Sequence, residues 1–254
     1  MATNSGIEWT EQTWNPVTGC TKVSPGCKNC YAETMARRLK AMKANGYEKG
    51  FELTLHPERL GQPLQRSKPT TYFVNSMSDL FHEDIKDSFI DKVFDVIARA
   101  PQHTFQILTK RAERLAQYAN GRTIPSNAWL GVSVEDKDYG VPRIDLLRDV
   151  EGVTRFLSVE PLLEDIGQIN LKGIHWVIVG GESGPKARPM KPEWAIKLRD
   201  QCVAANVPFF FKQWGNWGPD GTRRSKKANG RDLQGQTHNG YPLIACVGIS
   251  EEYV

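Results

Sequence analysis

Three of the five cysteines in this 254-residue chain lie within eleven positions of one another. They are Cys20, Cys27 and Cys30, and Tyr31 follows the last of them directly. Three thiolates close in sequence can hold three irons of a 4Fe-4S cube and leave the fourth iron open for a small molecule, whereas a structural zinc site normally takes four protein ligands. The spacing therefore predicts a 4Fe-4S cluster with an open iron. An iron that can bind a small molecule indicates a catalytic rather than a structural site.

Two other schemes for these cysteines stay open. A disulfide is disfavoured because the cysteine count is odd and the sequence shows no signal peptide, so we expect a reducing, cytoplasmic compartment. A zinc site completed by His56 or His82 fits the Cys-x2-Cys spacing, although no second Cys or His pair follows at zinc-finger distance. Cys202 and Cys246 are isolated in sequence, and we expect them to be buried as small hydrophobic residues.

The composition is that of an ordinary soluble globular protein. Hydrophobic residues make up 39% and charged residues 24%, the mean hydropathy is -0.48, and no apolar run approaches membrane-spanning length. The length suits a single domain over residues 1–254. A net charge of +4 permits an anionic partner without requiring one. The densest basic run, 223–227, lies in an aromatic and basic C-terminal extension that we assign to 214–254.

Short apolar runs alternate with amphipathic segments after the cysteines. The alternation implies right-handed βαβ crossovers and a parallel sheet. With a short first strand before Cys20, roughly six or seven strands favour an α/β fold with a full or partial (β/α) TIM-type barrel over an open doubly wound sheet. We predict strands at 71–75, 104–108, 129–134, 154–159, 175–179 and 207–211, and helices at 32–44, 85–100, 112–118, 143–148 and 193–205.

Polar side chains follow these predicted strands. In a parallel barrel the active site lies at the carboxyl ends of the strands, so these residues should meet. Glu135, Glu160 and Glu182 come directly after apolar runs, where a carboxylate needs a partner, and Lys110 could be one. The polar strand ends are 75–79, 109–111, 133–136, 158–161, 180–184 and 212–214.

A three-cysteine loop followed by a parallel barrel with polar strand ends resembles the radical S-adenosylmethionine superfamily. Six residues separate Cys20 from Cys27, more than in the usual spacing, and Asn29 stands where the superfamily has an aromatic, with Tyr31 after the last cysteine. The sequence is more closely similar to an uncharacterised phage and prophage family with this motif, over nearly the whole chain. The segments that carry this similarity are 14–33, 158–162, 180–184, 212–215 and 230–233.

The resemblance implies that the open iron chelates S-adenosylmethionine, whose one-electron cleavage gives a 5'-deoxyadenosyl radical that takes a hydrogen atom from the substrate. The protein orients the cofactor and excludes water. An electron donor such as flavodoxin or ferredoxin is implied as a partner. The residues expected to bind the cofactor, with Lys110 on its carboxylate, are Tyr31, Ser76, Ser78, Asp79, Lys110, Ser133 and Glu135.

A partial similarity to the spore photoproduct lyase family rests on Ser78, Asp79, Lys110 and Ser133, which occupy similar strand ends. The hydrogen-donating cysteine of that family has no counterpart, because Ser76 stands where it would align. The residues expected to face the substrate as catalytic groups, nearer the later strands, are Glu160, Glu182, Lys212 and Gln213.

The C-terminal extension bears on the substrate class. Trp214 and Trp217 precede the basic run 223–227, so stacking surfaces lie beside positive charge, as a protein that grips an unstacked base would need. Modification or repair of DNA or RNA is therefore the leading expectation. The alternative for both Trp residues is a place in the core. Two other functions also stay open: a non-catalytic zinc or Fe-S nucleic-acid-binding module, and a radical enzyme acting on a small metabolite.

Overall fold

The structure, a computed structural model, describes residues 5–242 and is built on a seven-stranded parallel sheet. Cys246 and the end of the C-terminal extension lie outside the described residues. The strands in chain order are β1 (Gln12–Trp14), β2 (Val17–Thr18), β3 (Thr54–Leu55), β4 (Thr71–Val74), β5 (Thr104–Thr109), β6 (Ala128–Ser133), β7 (Thr154–Val159), β8 (Trp176–Gly180) and β9 (Phe209–Gln213).

The order of the large sheet is β1-β4-β5-β6-β7-β8-β9, and every neighbouring pair in it is parallel. The sheet curls into a partial barrel with β1 and β9 at its edges. The predicted α/β fold with a partial (β/α) TIM-type barrel is thus confirmed, including the short strand before Cys20. The antiparallel pair of β2 and β3, which was not predicted, lies beside the start of the cysteine loop.

Helices lie in most of the connections between the parallel strands, whereas β7 and β8 are joined without one. The helix predicted at 85–100 is two residues shorter at each end, and its apolar face is buried as expected. Cys202 is fully buried, which confirms the prediction that it packs as a small hydrophobic residue. None of the helices within 5–242 has the length and apolarity needed to cross a bilayer. They are α1 (Tyr31–Ala41), α2 (Asp87–Ala98), α3 (Ala112–Ala119), α4 (Pro142–Arg148), α5 (Pro192–Ala204) and α6 (Lys226–Asn229).

The inner face of the sheet changes from aromatic to polar along the strand direction. Side chains on a strand alternate between faces, so residues two apart share the inner face. In β7, Phe156 is followed on this face by Ser158 and then by Glu160, while in β9 Phe210 is followed by Lys212. The aromatic end forms a buried cluster of Trp9, Phe73, Trp129, Phe156, Trp176 and Phe210 with Ile178. The cluster fills the barrel interior and leaves the polar end open.

Two glycines make room for these inward side chains. A Cβ at Gly131 would lie 2.5 Å from the ring of Phe156, and a Cβ at Gly180 would lie 2.5 Å from Glu160 Oε1. At Gly131 the obstacle is a fully buried ring, so β6 needs glycine there, whereas at Gly180 the end of the Glu160 side chain would have to turn away to admit a Cβ. Gly131 thus preserves the aromatic cluster, and Gly180 leaves space for a carboxylate at the barrel mouth.

Candidate active site

A cavity of about 420 Å³ lies at the carboxyl ends of the parallel strands. Of the 14 residues predicted for the site, 13 line this cavity, and Glu135 is the exception. The cavity therefore brings together the cysteine loop and the polar strand ends, while the roles of the individual residues stay predictions. The lining predicted residues are Cys20, Cys27, Cys30, Tyr31, Ser76, Ser78, Asp79, Lys110, Ser133, Glu160, Glu182, Lys212 and Gln213.

The three cysteines of the loop are free thiols that open onto this cavity. A single zinc ion binds each thiolate at about 2.3 Å, so its ligands must crowd around one point. Within residues 5–242, no three His, Cys, Asp or Glu side chains converge in that way. In a 4Fe-4S cube each cysteine binds a different iron, which spreads the sulfurs apart. Three soft thiol donors on one cavity are a donor set that suits a 4Fe-4S cluster.

The two histidines considered as zinc ligands point to other partners. His82 is fully buried, its Nδ1 accepts a hydrogen bond from the Asp84 amide at 3.2 Å, and its Nε2 lies 2.9 Å from Thr21 Oγ1. Because Nδ1 is the acceptor, Nε2 carries the proton and donates to Thr21. His56 Nε2 lies 2.8 Å from Thr18 Oγ1. Both rings therefore hold threonines near the cysteine loop in the described structure.

Arg111 joins the first cysteine to the sheet. Its Nη1 lies 3.5 Å from Cys20 Sγ and 3.2 Å from Asp79 Oδ2, and its Nε donates to Glu83 at 2.7 Å. Nη2 donates to Thr21 Oγ1 at 2.8 Å. Burial raises the pKa of the Cys20 thiol to about 11, Asp79 acts in the same direction, and Arg111 opposes both. The sequence marked Arg111 only as part of a polar strand end and gave it no role.

Asp79, predicted to contact the cofactor, has both carboxylate oxygens engaged by the protein. Oδ1 accepts from Thr109 Oγ1 at 2.7 Å and from the Phe81 amide at 3.0 Å. Oδ2 accepts from the Lys110 amide at 3.0 Å in addition to Arg111. The carboxylate thus fixes the backbone and side chains that follow β5, which holds the Lys110 segment in place.

Glu135 is fully buried and supports the cysteine loop from behind the cavity. Its Oε2 accepts from Arg143 Nη1 at 2.7 Å, and its other oxygen accepts from the hydroxyl of Ser24, a loop residue. Burial disfavours ionisation, but Lys110, Arg143 and Ser24 together hold the pKa of this carboxyl below its ordinary value. Glu135 was expected to contact the cofactor, and the structure instead turns both oxygens toward the protein.

Glu182 holds the other end of the cysteine loop. Its Oε2 accepts from Arg188 Nε at 2.9 Å and from Asn29 Nδ2 at 3.0 Å. Arg188 also donates to the Pro25 carbonyl oxygen at 3.0 Å. Burial opposes ionisation, yet the hydrogen bonds from Arg188 and Asn29 keep the pKa of Glu182 below its ordinary value. Although Glu182 lines the cavity, its carboxylate is occupied by the loop and by Arg188.

The remaining cavity charges form pairs, with one exception. Glu160 Oε1 lies 3.3 Å from Lys212 Nζ, and its Oε2 accepts from Ser158 Oγ at 3.2 Å. At the mouth, Glu8 Oε1 lies 2.8 Å from Lys226 Nζ. Lys110 has no ion-pair partner among residues 5–242. It is therefore the cavity cation best placed to receive an anionic ligand group.

Two buried amides at the cavity have an unsatisfied polar atom in the described part of the chain. Asn75, which the sequence analysis did not single out, has a left-handed backbone with φ 57°, accepts from the Val17 amide at 3.2 Å, and leaves Nδ2 without a partner. Gln213 donates to Ser183 Oγ at 3.0 Å and leaves Oε1 unpaired. Buried polar atoms are rarely left unpaired, and these two belong to residues that line the cavity. The position of Asn75 directly after β4 was the available sequence signal.

The C-terminal extension contributes less to a nucleic-acid surface than expected. Trp214 is 2% exposed and donates to the Asp232 carbonyl oxygen, so it belongs to the core. Trp217 is partly buried and donates to the Ala187 carbonyl oxygen at 2.7 Å. In the basic run, Arg224 pairs with Asp220, and Lys226 pairs with Glu8. The expectation that Trp214 offers a stacking surface is wrong, because packing against Phe211 buries its ring.

Comparison with known proteins gives a family without an assigned function. The profile of the family described as "Protein of unknown function (DUF5131)" matches residues 4–242. No curated protein matches the sequence. These matches do not test the resemblance to a phage and prophage family, which stays a prediction.

Solved structures of spore photoproduct lyase align with part of the chain. The lyase complexed with dinucleoside spore photoproduct aligns with a TM-score of 0.49 and 13% identity, covering 78% of this chain and 63% of that chain. A variant with bound AdoMet and dinucleoside spore photoproduct gives a TM-score of 0.47, 14% identity and coverage of 67% and 56%. The chain thus spans less than two thirds of the length of these proteins. A likeness at this level does not establish a shared activity.

Proposed function

Because the chain belongs to the DUF5131 family of unknown function, its activity has to be inferred from its site, and we propose that it is a radical S-adenosylmethionine enzyme. Cys20, Cys27 and Cys30 would hold a 4Fe-4S cluster. The observation that carries the proposal is that three free thiols open onto the same cavity as the polar ends of the parallel strands. When bound, the cluster and S-adenosylmethionine would supply a 5'-deoxyadenosyl radical for hydrogen abstraction.

The half of the cavity beside the cysteines suits a small zwitterionic cofactor. Lys110 offers an ammonium group without an ion-pair partner in the described residues, which suits a carboxylate. Asn75 offers a buried N–H donor. Asp79 positions the Lys110 backbone, so it acts through its neighbours. The other residues of this half carry hydroxyl groups, and three of these already donate within the chain. They are Tyr31, to the Ser76 carbonyl oxygen, Ser76, to Asn15 Oδ1, and Ser78, to the Val17 carbonyl oxygen, while Ser133 completes the set.

The half of the cavity beside β7 and β9 suits the substrate. Glu160 and Lys212 form an ion pair that Ser158 supports, and Gln213 presents an unpaired acceptor. These groups can bind and orient a polar molecule, and Glu160 or Lys212 can exchange a proton with it. Glu182 lies nearby, but its hydrogen bonds to Arg188 and Asn29 favour support of the loop over contact with substrate.

Modification or repair of a nucleic acid remains a candidate for the substrate class. The C-terminal extension supports a nucleic-acid substrate less than its sequence predicted, because Trp214 is buried and two cations of the basic run are paired within the chain. An acceptor such as Gln213 Oε1 would still suit the edge of an extruded base.

A small polar metabolite is the second candidate substrate. Every cavity-lining carboxylate has a cationic partner, in the pairs Glu8–Lys226, Asp79–Arg111, Glu160–Lys212 and Glu182–Arg188. Apart from Lys110, the cavity cations in the described structure are thus neutralised and offer little to a phosphate backbone. If cluster-loaded protein binds neither DNA nor RNA at low salt, the small metabolite becomes the leading candidate.

The test of the proposed activity is cleavage of S-adenosylmethionine by cluster-loaded protein. With a strong chemical reductant and no added substrate, we expect formation of 5'-deoxyadenosine and methionine, followed by chromatography. The Cys27→Ala variant should form neither product, while Cys202→Ala, which changes a buried cysteine far from the loop, should behave as the unmodified chain. Cluster-loaded protein that binds the cofactor but releases no 5'-deoxyadenosine would contradict the proposal.

A further inference from the structure

The positive charge of the chain is concentrated beside the candidate site. Between residues 20 and 50 there are seven Lys or Arg and two Glu residues, a net charge of +5. The whole chain carries +4, so everything outside this segment has a net charge of -1. The segment contains the cysteine loop and α1, which begins directly after Cys30. The excess charge therefore belongs to one surface feature.

Most of these cations are available to a partner. Glu33 pairs with Lys22 at 3.0 Å and also with Arg37. In the part of the chain that the structure describes, five exposed cations of this segment have no ion-pair partner. They are Lys28, Arg38, Lys40, Lys43 and Lys49. By contrast, the run at 223–227 has two of its cations paired within the chain.

The same helix exposes large apolar side chains in line with one of these cations. Tyr31 is 57% exposed, Met35 42% and Met42 75%. Together with Arg38 they recur at intervals of four, three and four residues, so they follow one face of α1 to Met42, the residue that caps its C-terminal end. We name this set the α1 stripe. The neighbouring face, with Ala32 and Ala36, is buried against the body of the protein.

We propose that the α1 stripe and its flanking cations are the docking surface for an acidic electron-carrier protein. The charge complements an acidic partner and would steer its approach. Phosphate contacts need cations alone, whereas exposed methionines, an aromatic ring and an arginine in one stripe are the composition of a protein interface core. The stripe starts at Tyr31, next to Cys30, so a docked carrier lies beside the cysteine loop.

The redox role of this partner rests on the proposed function. One electron would pass from the reduced carrier, which is oxidised by one electron, to the cluster, which is reduced by one. The docking surface itself is independent of that step. Binding and turnover can therefore be measured separately.

The test is the binding of an oxidised flavodoxin with an acidic surface to the cluster-loaded protein, measured by calorimetry. Because the flavodoxin is oxidised, binding is measured without electron transfer. The Arg38→Glu/Lys40→Glu variant should bind about tenfold more weakly at low salt and lose most of the salt dependence. A control with the same charge change, Lys92→Glu/Lys172→Glu, alters exposed lysines elsewhere and should bind as the unmodified chain does. Equal weakening in the control, or no weakening in the α1 variant, overturns the inference.

A second variant separates a protein partner from a nucleic acid. Met35→Gln/Met42→Gln keeps the charge and helix propensity and should weaken flavodoxin binding about threefold or more, with the salt dependence retained. A DNA duplex that binds through Arg38 and Lys40 while flavodoxin does not bind would assign the surface to nucleic acid and overturn the inference.

Cleavage of S-adenosylmethionine with a chemical reductant is measured on the same samples and should be unaffected in the Arg38→Glu/Lys40→Glu variant. If chemical reduction supports cleavage but flavodoxin does not bind, the docking inference fails and the proposed function stands. If flavodoxin binds through α1 but no reductant supports cleavage, the proposed function fails and the docking surface stands.

Discussion

Arg111 donates a hydrogen bond to the sulfur of Cys20 across 3.5 Å. The guanidinium is buried and also contacts Asp79, Glu83 and Thr21, so its position is fixed by groups on both sides. A buried arginine in this setting stabilises negative charge on sulfur and holds the first cysteine of a long loop against the sheet.

The Arg111→Lys variant should lose part of its bound iron. Lysine keeps the charge but cannot make the forked contacts to Asp79, Glu83 and Cys20, so the free energy of unfolding should fall by about 1–3 kcal/mol. The iron content per chain after gel filtration measures the loss of iron, and urea unfolding measures the loss of stability. Arg114→Lys is the control, because Arg114 pairs with Asp87 away from the loop. Full iron retention in Arg111→Lys would show that Cys20 does not need this contact.

Replacement of Glu135 should act through stability. Glu135→Gln leaves the guanidinium of Arg143 buried without its charge partner, and we expect the free energy of unfolding to fall by about 3–5 kcal/mol. The affinity for S-adenosylmethionine should not fall where the variant remains folded, because Glu135 does not line the cavity and its negative charge opposes that of Lys110. Urea unfolding measures the free energy of unfolding, and calorimetry measures the affinity for S-adenosylmethionine. A stable variant with lost cofactor affinity would return Glu135 to the cofactor site.

Lys110→Ala should weaken S-adenosylmethionine binding by about 2–4 kcal/mol, because a desolvated carboxylate would lose its charge partner. Calorimetry with cluster-loaded protein measures the affinity. Lys137→Ala, at an exposed lysine, is the control. Unchanged affinity in Lys110→Ala would remove this residue from the cofactor site.

The support that Glu182 gives to the loop should depend on pH. Its folded-state pKa lies below the ordinary value of 4.5, so its stabilisation is complete above 4.5 and is lost as the pH falls through the folded-state pKa. We expect Glu182→Gln to lower the free energy of unfolding of metal-free protein by about 1–3 kcal/mol at neutral pH, and by less in acid.

Urea unfolding of both proteins between about pH 7 and about pH 3.5 measures this difference. Glu151→Gln, at an exposed glutamate, is the control and should show little difference at any pH. A Glu182→Gln deficit that stays constant into acid would mean that the charge of Glu182 does not support the loop.

The sequence predicted the strands well because their patterns are local. In β7, the alternation that places Phe156 and Ser158 on one face can be read within a few residues. The contacts that hold the cysteine loop could not be predicted in this way. Ser24 meets Glu135 across 111 positions, and Asn29 meets Glu182 across 153. Strand-end polarity indicated that these carboxylates lie near the site, but only the folded chain shows that they bind arginines and the loop.

The most direct test of the central claim is the iron and sulfide content of the three cysteine variants after anaerobic reconstitution. The unmodified chain and Cys202→Ala should each bind about four irons and absorb broadly near 400 nm, roughly where thiolate-ligated clusters absorb. Cys20→Ala, Cys27→Ala and Cys30→Ala should each lose the cluster. A colourless unmodified protein that holds one zinc, or loss of the cluster in Cys202→Ala, would contradict the account.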